Sequence, residues 1–309
     1  MSYRPLFSRG WGNLAMVDAA RHGVLSLPDE IVAVPYIHWR TRTVTLRGTV
    51  VRDGHFRSLA ELPCGTSTAR VRHLAREGNR KLFIVLAATG EAGYGMRRRI
   101  WAPLLRDGVD LLFLENPFYG PRARPEQRGP SLLTVSDLLL LVRSAVAEAA
   151  GLVAWGRAHG YESVALGGYS MGAYVSLLAA AKVPGPLQLF PLSVGISPAP
   201  VLTEGMLARL IHWGALSDGQ YVQSVEEART RLGEVLSIGD LRRDAPLGAE
   251  KTVHILALEQ DGYIARSDTE ELARFIPHAE LTFVPRHGHV SAVVYGPRVL
   301  RPFVKARIR

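Results

Sequence analysis

The chain has 309 residues, of which 47% are hydrophobic and 21% charged, a balance that describes a globular protein with a sizeable core. Its formal charge of +9 is carried almost wholly by arginine, since lysine stands only at 81, 182, 251 and 305. Basic charge favours anionic ligands or surfaces without naming one, and no nucleic-acid motif accompanies it. The single cysteine, Cys64, excludes an intramolecular disulfide and fits a reducing compartment.

The opening stretch MSYRPLFSRGWGNLAMV has no long apolar core and no small-residue cleavage site, so a secretory signal is not expected. A cytoplasmic location is the reading that follows, with organellar targeting left open by the arginines and the lack of acid before Asp18. From Ile31 to Val51 the chain is rich in Val, Thr and aromatic residues, with alternation in RTVTLRGTVV, and reads as early strands. KLFIVLAATG (81–90) is a short apolar run closed by glycine, a buried strand. A glycine-bearing loop, TGEAGYG, leads into MRRRIWAPLLRDG, a helix that Gly108 ends. Arg97, Arg98 and Arg99 at its start are expected on a solvated helix face. VDLLFLENP (109–117) is the next strand.

From Ser136 to His159 an apolar pattern of helical length runs, with Ser136 or Thr134 as N-cap and Gly160 beyond the end. Arg143 and Glu148 interrupt it as a membrane span. A second apolar stretch, 183–202, carries five prolines that would break a spanning helix. SVALGG (163–168) is a strand and MGAYVSLLAAAK a helix; LQLFPLSVGI, TVHILALEQ and ELTFVPRH supply three later strands. Strands alternating with helices call for a mainly parallel sheet covered on both faces, an α/β fold in one domain spanning 1–309. Between 198 and 248 the pattern changes to short helices without strands, an insertion expected over the carboxyl edge of the sheet as a lid. Its Met206, Leu207, Leu210 and Trp213 would suit an acyl chain.

Gly168-Tyr169-Ser170-Met171-Gly172 matches G-x-S-x-G between a strand and a helix, the pattern of a nucleophile elbow. A serine hydroxyl needs a histidine to take its proton, and the imidazole needs a carboxylate to hold its tautomer. After Ser170 the chain offers Asp261, opening a loop behind an apolar strand, in preference to Glu259 within the strand run. His289 is preferred to His287 because it leads into the apolar VSAVV. The oxyanion would be held by the amide of Met171 and by one from the loop after the earlier strand, with Glu91 chosen over Ala92. No cofactor or metal is called for.

A rival is that TGEAGYG is a dinucleotide loop and the protein an oxidoreductase, with Glu115 the nearest ribose-binding acid. That reading leaves Ser170, Asp261 and His289 unexplained. A third possibility keeps the fold as a non-catalytic binding protein.

LFSRGWG near the start, DGHF (53–56), TGEAGYGMRRR, LLFLENPFYG (111–120), SDL (136–138), GYSMG and GHVSA (288–292) run in order along the chain. On these residues the chain resembles the α/β-hydrolases, and more narrowly the alpha/beta hydrolase domain-containing protein 18 group, over nearly its whole length. The resemblance implies an α/β-hydrolase fold and a serine hydrolase with Ser170, Asp261 and His289 as triad. It implies, with less force, a lipid or other carboxylic-ester substrate. No nucleic-acid partner is expected, since no such motif is present, and peripheral membrane contact and oligomeric state stay open. One departure is His287, where glycine is usual in that group.

Overall fold

In the computed structural model, which describes residues 5–24, 33–45 and 48–309, the apolar runs become strands of one nine-stranded sheet. Helix α1 (Leu14–Arg21) is capped by the Asn13 side chain, which accepts from the Met16 amide. Strands β1 (His38–Val44), β2 (Val50–Arg57) and β3 (Thr68–Ala75) follow as an antiparallel group. The expected early strands therefore split at a turn; residues 31, 32, 46 and 47 of that stretch lie outside the described residues. β3 was not expected: in TARVRHLA the buried Ala69 and Val71 alternate with Arg70 and Arg72, but a histidine, His73, follows on the apolar face and Leu74 is buried on the arginine face, which masks the period of two.

β4 (Lys81–Leu86) leads to α2 (Gly95–Trp101), which tightens into a 3-10 turn over Ala102–Asp107 and stops at Gly108, φ 83°. Pro103 has no N–H for the helical ladder, which accounts for the tightening. Next come β5 (Val109–Leu114), α3 (Val135–Ala158), β6 (Ser163–Tyr169), α4 (Met171–Lys182) and β7 (Leu187–Leu192). Thr134 is the N-cap of α3, accepting from the Asp137 amide, while Ser136 Oγ accepts from the Asn13 amide. The segment 198–248 holds α5 (Ala199–Thr203), α6 (Trp213–Leu216) and α7 (Val225–Leu236) with short 3-10 turns between and after them. The chain ends with β8 (Lys251–Leu258), α8 (Arg266–Phe275), β9 (Glu280–Val284), α9 (His289–Val294) and α10 (Gly296–Lys305).

The strand order is β1-β2-β3-β5-β4-β6-β7-β8-β9, parallel from β5 to β9 and antiparallel on the other side. The sheet is thus mixed, with its parallel part carrying the helices. β5 lies on one side of β4 and β6 on the other, so the order reverses at β4. Loops leaving β4 and β6 part there and open a crevice at the carboxyl edge. Along β4, Leu82, Ile84 and Leu86 pack beneath α3 and α4, while Phe83 and Val85 pack against α2 and α10. α3 is the one helix among the described residues long and apolar enough to cross a membrane, and 78% of that window is buried inside the fold. Its apolar character is that of a core helix.

His73 on β3 is buried against Trp39 and Trp155. Tyr161 donates its hydroxyl proton to Asp110, so His73 Nε2, 2.8 Å from that oxygen, carries a proton, while Nδ1 meets no partner among the described residues. Burial, then the charges of Arg52 and His159, hold the imidazole down to about 3. The unfolded chain therefore binds this proton more readily, and the stability that His73 contributes when neutral is full above about pH 6.5 and drains as pH falls toward 3. Between pH 7 and 5 the loss is expected to be about 2 kcal/mol. Urea midpoints of the wild type and His73→Gln should diverge at pH 7 and converge on acidification; parallel curves would rule this group out.

Candidate active site

The elbow is shaped by close packing on both sides. A side chain at Gly172 would come within 2.6 Å of the Leu86 carbonyl oxygen, and one at Gly168 within 2.8 Å of the same atom and of Gly172 itself. Only two glycines let strand β6, helix α4 and the end of β4 approach so closely. Between them Ser170 sits at φ 55°, ψ −118°, a conformation that costs a non-glycine residue about 1–3 kcal/mol. It is held there by its amide, which donates to Leu192 O, and by its carbonyl, which accepts from the Tyr174 amide. Its side chain makes no capping bond at the start of α4, and Oγ has no hydrogen-bond partner among the described residues. Met171 is the first residue of that helix, where amides lack intrahelical acceptors.

Asp261 and His289 come together: Nδ1 of the imidazole lies 2.9 Å and 3.1 Å from the two carboxylate oxygens. Asp261 sits just past β8, and His289 opens α9 after β9, both at the carboxyl edge. Glu259 lies outside β8 in an exposed turn, and His287 faces Tyr295, with Nδ1 meeting no partner among the described residues. The Asp261 carboxylate also accepts from the Tyr263 and Ile264 amides and from the Ser193 hydroxyl. Burial acts to raise its pKa, but the bonds and charge of His289, with Ser193 and the Tyr263 amide, outweigh it and hold the group below the usual carboxylate range. The imidazole stacks on Tyr263 and leans on Tyr169, ring centroids 4.7 and 4.8 Å apart. Tyr169, the neighbour of Ser170, donates its hydroxyl to the His289 carbonyl at 2.7 Å, which ties the elbow to the imidazole's backbone. No hydrogen bond joins Ser170 Oγ to His289 among the described residues; such bonds often tighten only around substrate.

The loop after β4 differs from expectation in two places. The Glu91 amide, expected at the oxyanion, donates to Ala88 O at 3.2 Å within its own turn. Its carboxylate accepts from the Ala88 amide and from Arg97, and Thr89 is the residue of this loop that lines the cavity beside Ser170. Arg97 is not on a solvated face but 3% exposed. It bonds Glu91 Oε1, the carbonyls of Val85 and Leu114 where two strands end, and Gly93 O. Those strand-end carbonyls need donors, and a helix starting over them supplies a guanidinium. Arg98 and Arg99 are exposed as expected.

Glu115, in ENPFYG, accepts from the Gly93 amide at 2.7 Å. Burial pushes its carboxyl up, against the pull of that amide and of Arg97. This carboxylate is committed to the glycine loop itself, which weighs against its binding a ribose. Sequence reasoning also missed Ser193, just past β7. The rule that selected Asp261, a polar residue at the carboxyl end of a strand, points to it as well.

Ser170, Met171 and Thr89 open on a cavity of about 280 Å³. Its walls are mainly apolar, from α3 (Leu138, Leu139, Val142), α4 (Tyr174, Leu178) and the helical segment. Of the four segment residues expected to face an acyl chain, Leu207 lines it; Met206 is exposed, and Leu210 and Trp213 pack into the core formed with the N-terminal segment. Among the described residues no group of three or more His, Cys, Asp or Glu is placed to hold a metal.

Residues 4–231 match the family model described as alpha/beta hydrolase domain containing 18. Similar solved structures include acetyl xylan esterase 1 from Thermoanaerobacterium sp., TM-score 0.58 at 14% identity, covering 93% of this chain and 91% of that one. Another is the acetyl xylan esterase from Paenibacillus sp. R4, TM-score 0.57 at 15% identity, covering 97% and 96%. A cold-adapted esterase from an Arctic intertidal metagenomic library aligns at TM-score 0.54 and 15% identity, over 88% of this chain and all (100%) of that one. At these identities the likeness is one of fold.

Proposed function

The chain belongs to the alpha/beta hydrolase domain containing 18 family, and from that premise we propose that it hydrolyses carboxylic esters with an apolar acyl group, using Ser170, His289 and Asp261. The observation that carries this reading is a strained, uncommitted serine on a tight elbow, tied through Tyr169 to an imidazole that is paired with a buried acid. Ser170 Oγ attacks the ester carbonyl as His289 Nε2 takes its proton. The oxyanion so formed meets the Met171 amide and the amide of Thr89. The bond to the alcohol oxygen then breaks, and His289 returns the proton to that oxygen. Water repeats the sequence on the acyl-enzyme, releasing the carboxylic acid and restoring Ser170. The esterase names of the structural neighbours agree with this class of reaction.

The cavity supports an apolar acyl group. Ser170, Tyr174 and Leu178 line it at four-residue spacing along α4, which puts Leu178 about 12 Å of helix rise from the nucleophile. The segment 198–248 covers this channel as a lid, through Pro198, Val201, Leu202 and Leu207. The test is hydrolysis of p-nitrophenyl esters from acetyl to dodecanoyl by the wild type and Leu178→Trp. The bulky ring should leave acetate turnover within about twofold and lower dodecanoate kcat/KM by about tenfold or more. An equal effect on all chain lengths would place the acyl group elsewhere. No turnover of any ester by a protein that binds them would favour a non-catalytic role.

A further inference from the structure

Ser193 stands between the acid and the base. It is 1% exposed, follows the end of β7, and has φ 56°, a left-handed backbone that a serine rarely adopts. Its amide donates to Leu256 O at 2.7 Å, which fixes that turn. Its hydroxyl donates to Asp261 Oδ2 and lies 3.0 Å from His289 Nδ1. A hydroxyl has one proton, and here it goes to the carboxylate. Nδ1 therefore faces lone pairs only, from Ser193 Oγ and both Asp261 oxygens, and must carry its own hydrogen. Nε2 is then the basic nitrogen.

We propose that Ser193 is a positioning residue of this site, which holds the Asp261 carboxylate in line with His289 and so keeps the imidazole hydrogen on Nδ1. The assignment rests on reading Ser170, Asp261 and His289 as a triad. The hydroxyl donates to Oδ2 while its lone pairs face Nδ1, so it fixes both ends of the contact through which Asp261 orients His289. Among the described residues, other polar groups around this pair include the Tyr169 hydroxyl, the Tyr263 and Ile264 amides, the Tyr263 ring, and Asp268 of α8, packed against the turn at Gly195. None of them donates a side-chain proton to Asp261 Oδ2.

The test compares Ser193→Ala with Ser193→Gly. Both lose the hydroxyl; glycine also relieves the backbone, so the two differ in stability in a way that a mere packing role would follow. In both variants the Nδ1–H proton resonance, assigned by its loss in His289→Gln, should move from its wild-type position, and that hydrogen should exchange with solvent about tenfold faster or more. The kcat for p-nitrophenyl ester, per site titrated with a fluorophosphonate, should fall about tenfold with KM within about twofold. An unmoved Nδ1–H resonance in both variants overturns the proposal, as does a loss of kcat that follows stability and separates alanine from glycine. The NMR arm needs no turnover: a shifted resonance in a protein that neither labels nor hydrolyses would sink the esterase reading and leave the link from Ser193 to His289 standing.

Discussion

Ser170→Ala is expected to lower kcat on p-nitrophenyl esters by about 10⁴- to 10⁶-fold and to abolish fluorophosphonate labelling, while the protein stays folded. The effect should be that large because the other groups act through this oxygen. His289 has no proton to take without it, and the oxyanion donors meet no tetrahedral centre. Alanine tolerates φ 55° no better and no worse than serine, so the loss will not arise from the backbone. Replacing His289 as well should add little, since members of such a unit fail together rather than one by one. Labelling that survives in Ser170→Ala would move the nucleophile, and turnover that survives at more than a few per cent would remove the elbow from the mechanism.

Much of this candidate site was legible because the chemistry proposed for it needs local patterns. The glycines flanking Ser170 stand where the end of β4 allows no side chain, so the motif is a steric requirement written in sequence. Asp261 and His289 follow apolar runs, and the parallel register of β7, β8 and β9 brings those run ends to one edge. What the sequence hid depends on contacts without a fixed spacing. Arg97 reads like its neighbours Arg98 and Arg99, yet only Arg97 turns onto the carbonyls ending β4 and β5. Glu91 carries a side chain and an amide, and the turn uses both, while Thr89 is the residue of the loop that lines the cavity beside Ser170. β3 escaped because His73 follows on its apolar face and Leu74 lies on the face of Arg70 and Arg72. Ser193 lay inside a charge-free apolar run, where a serine looks like filler.

The same distinction governs stability. Glu148 reads as an interruption of an apolar helix, and a charge in such a run must have a partner. The structure supplies Arg122, 26 residues upstream, with both side chains wholly buried. Two parallel bonds of 2.8 and 2.7 Å join them. Glu148 accepts a further bond from Ser58 Oγ, and Arg122 reaches Thr66 O and Glu115 O. One ion pair thus fastens α3 to the β2–β3 connection and to the ENPFYG segment, whose Glu115 side chain holds the loop beside Ser170.

Glu148→Ala is therefore expected to destabilise the fold by about 3–5 kcal/mol, because it strands a guanidinium where water cannot reach it. In a thermal melt the midpoint should fall by about 5–8 °C. The double variant Arg122→Met/Glu148→Leu removes both charges and should regain more than half of that loss, since a buried pair adds little over apolar packing of similar volume. It should not regain all of it, because Thr66 O and Glu115 O lose their donor. The part left over measures what Arg122 does as a hydrogen-bond hub, apart from its charge. A double variant no more stable than Glu148→Ala would make the hub dominant. One as stable as the wild type would make the pair a device of specificity alone, and the Ser170 loop would then have to be held by Arg97 and Glu115 without it.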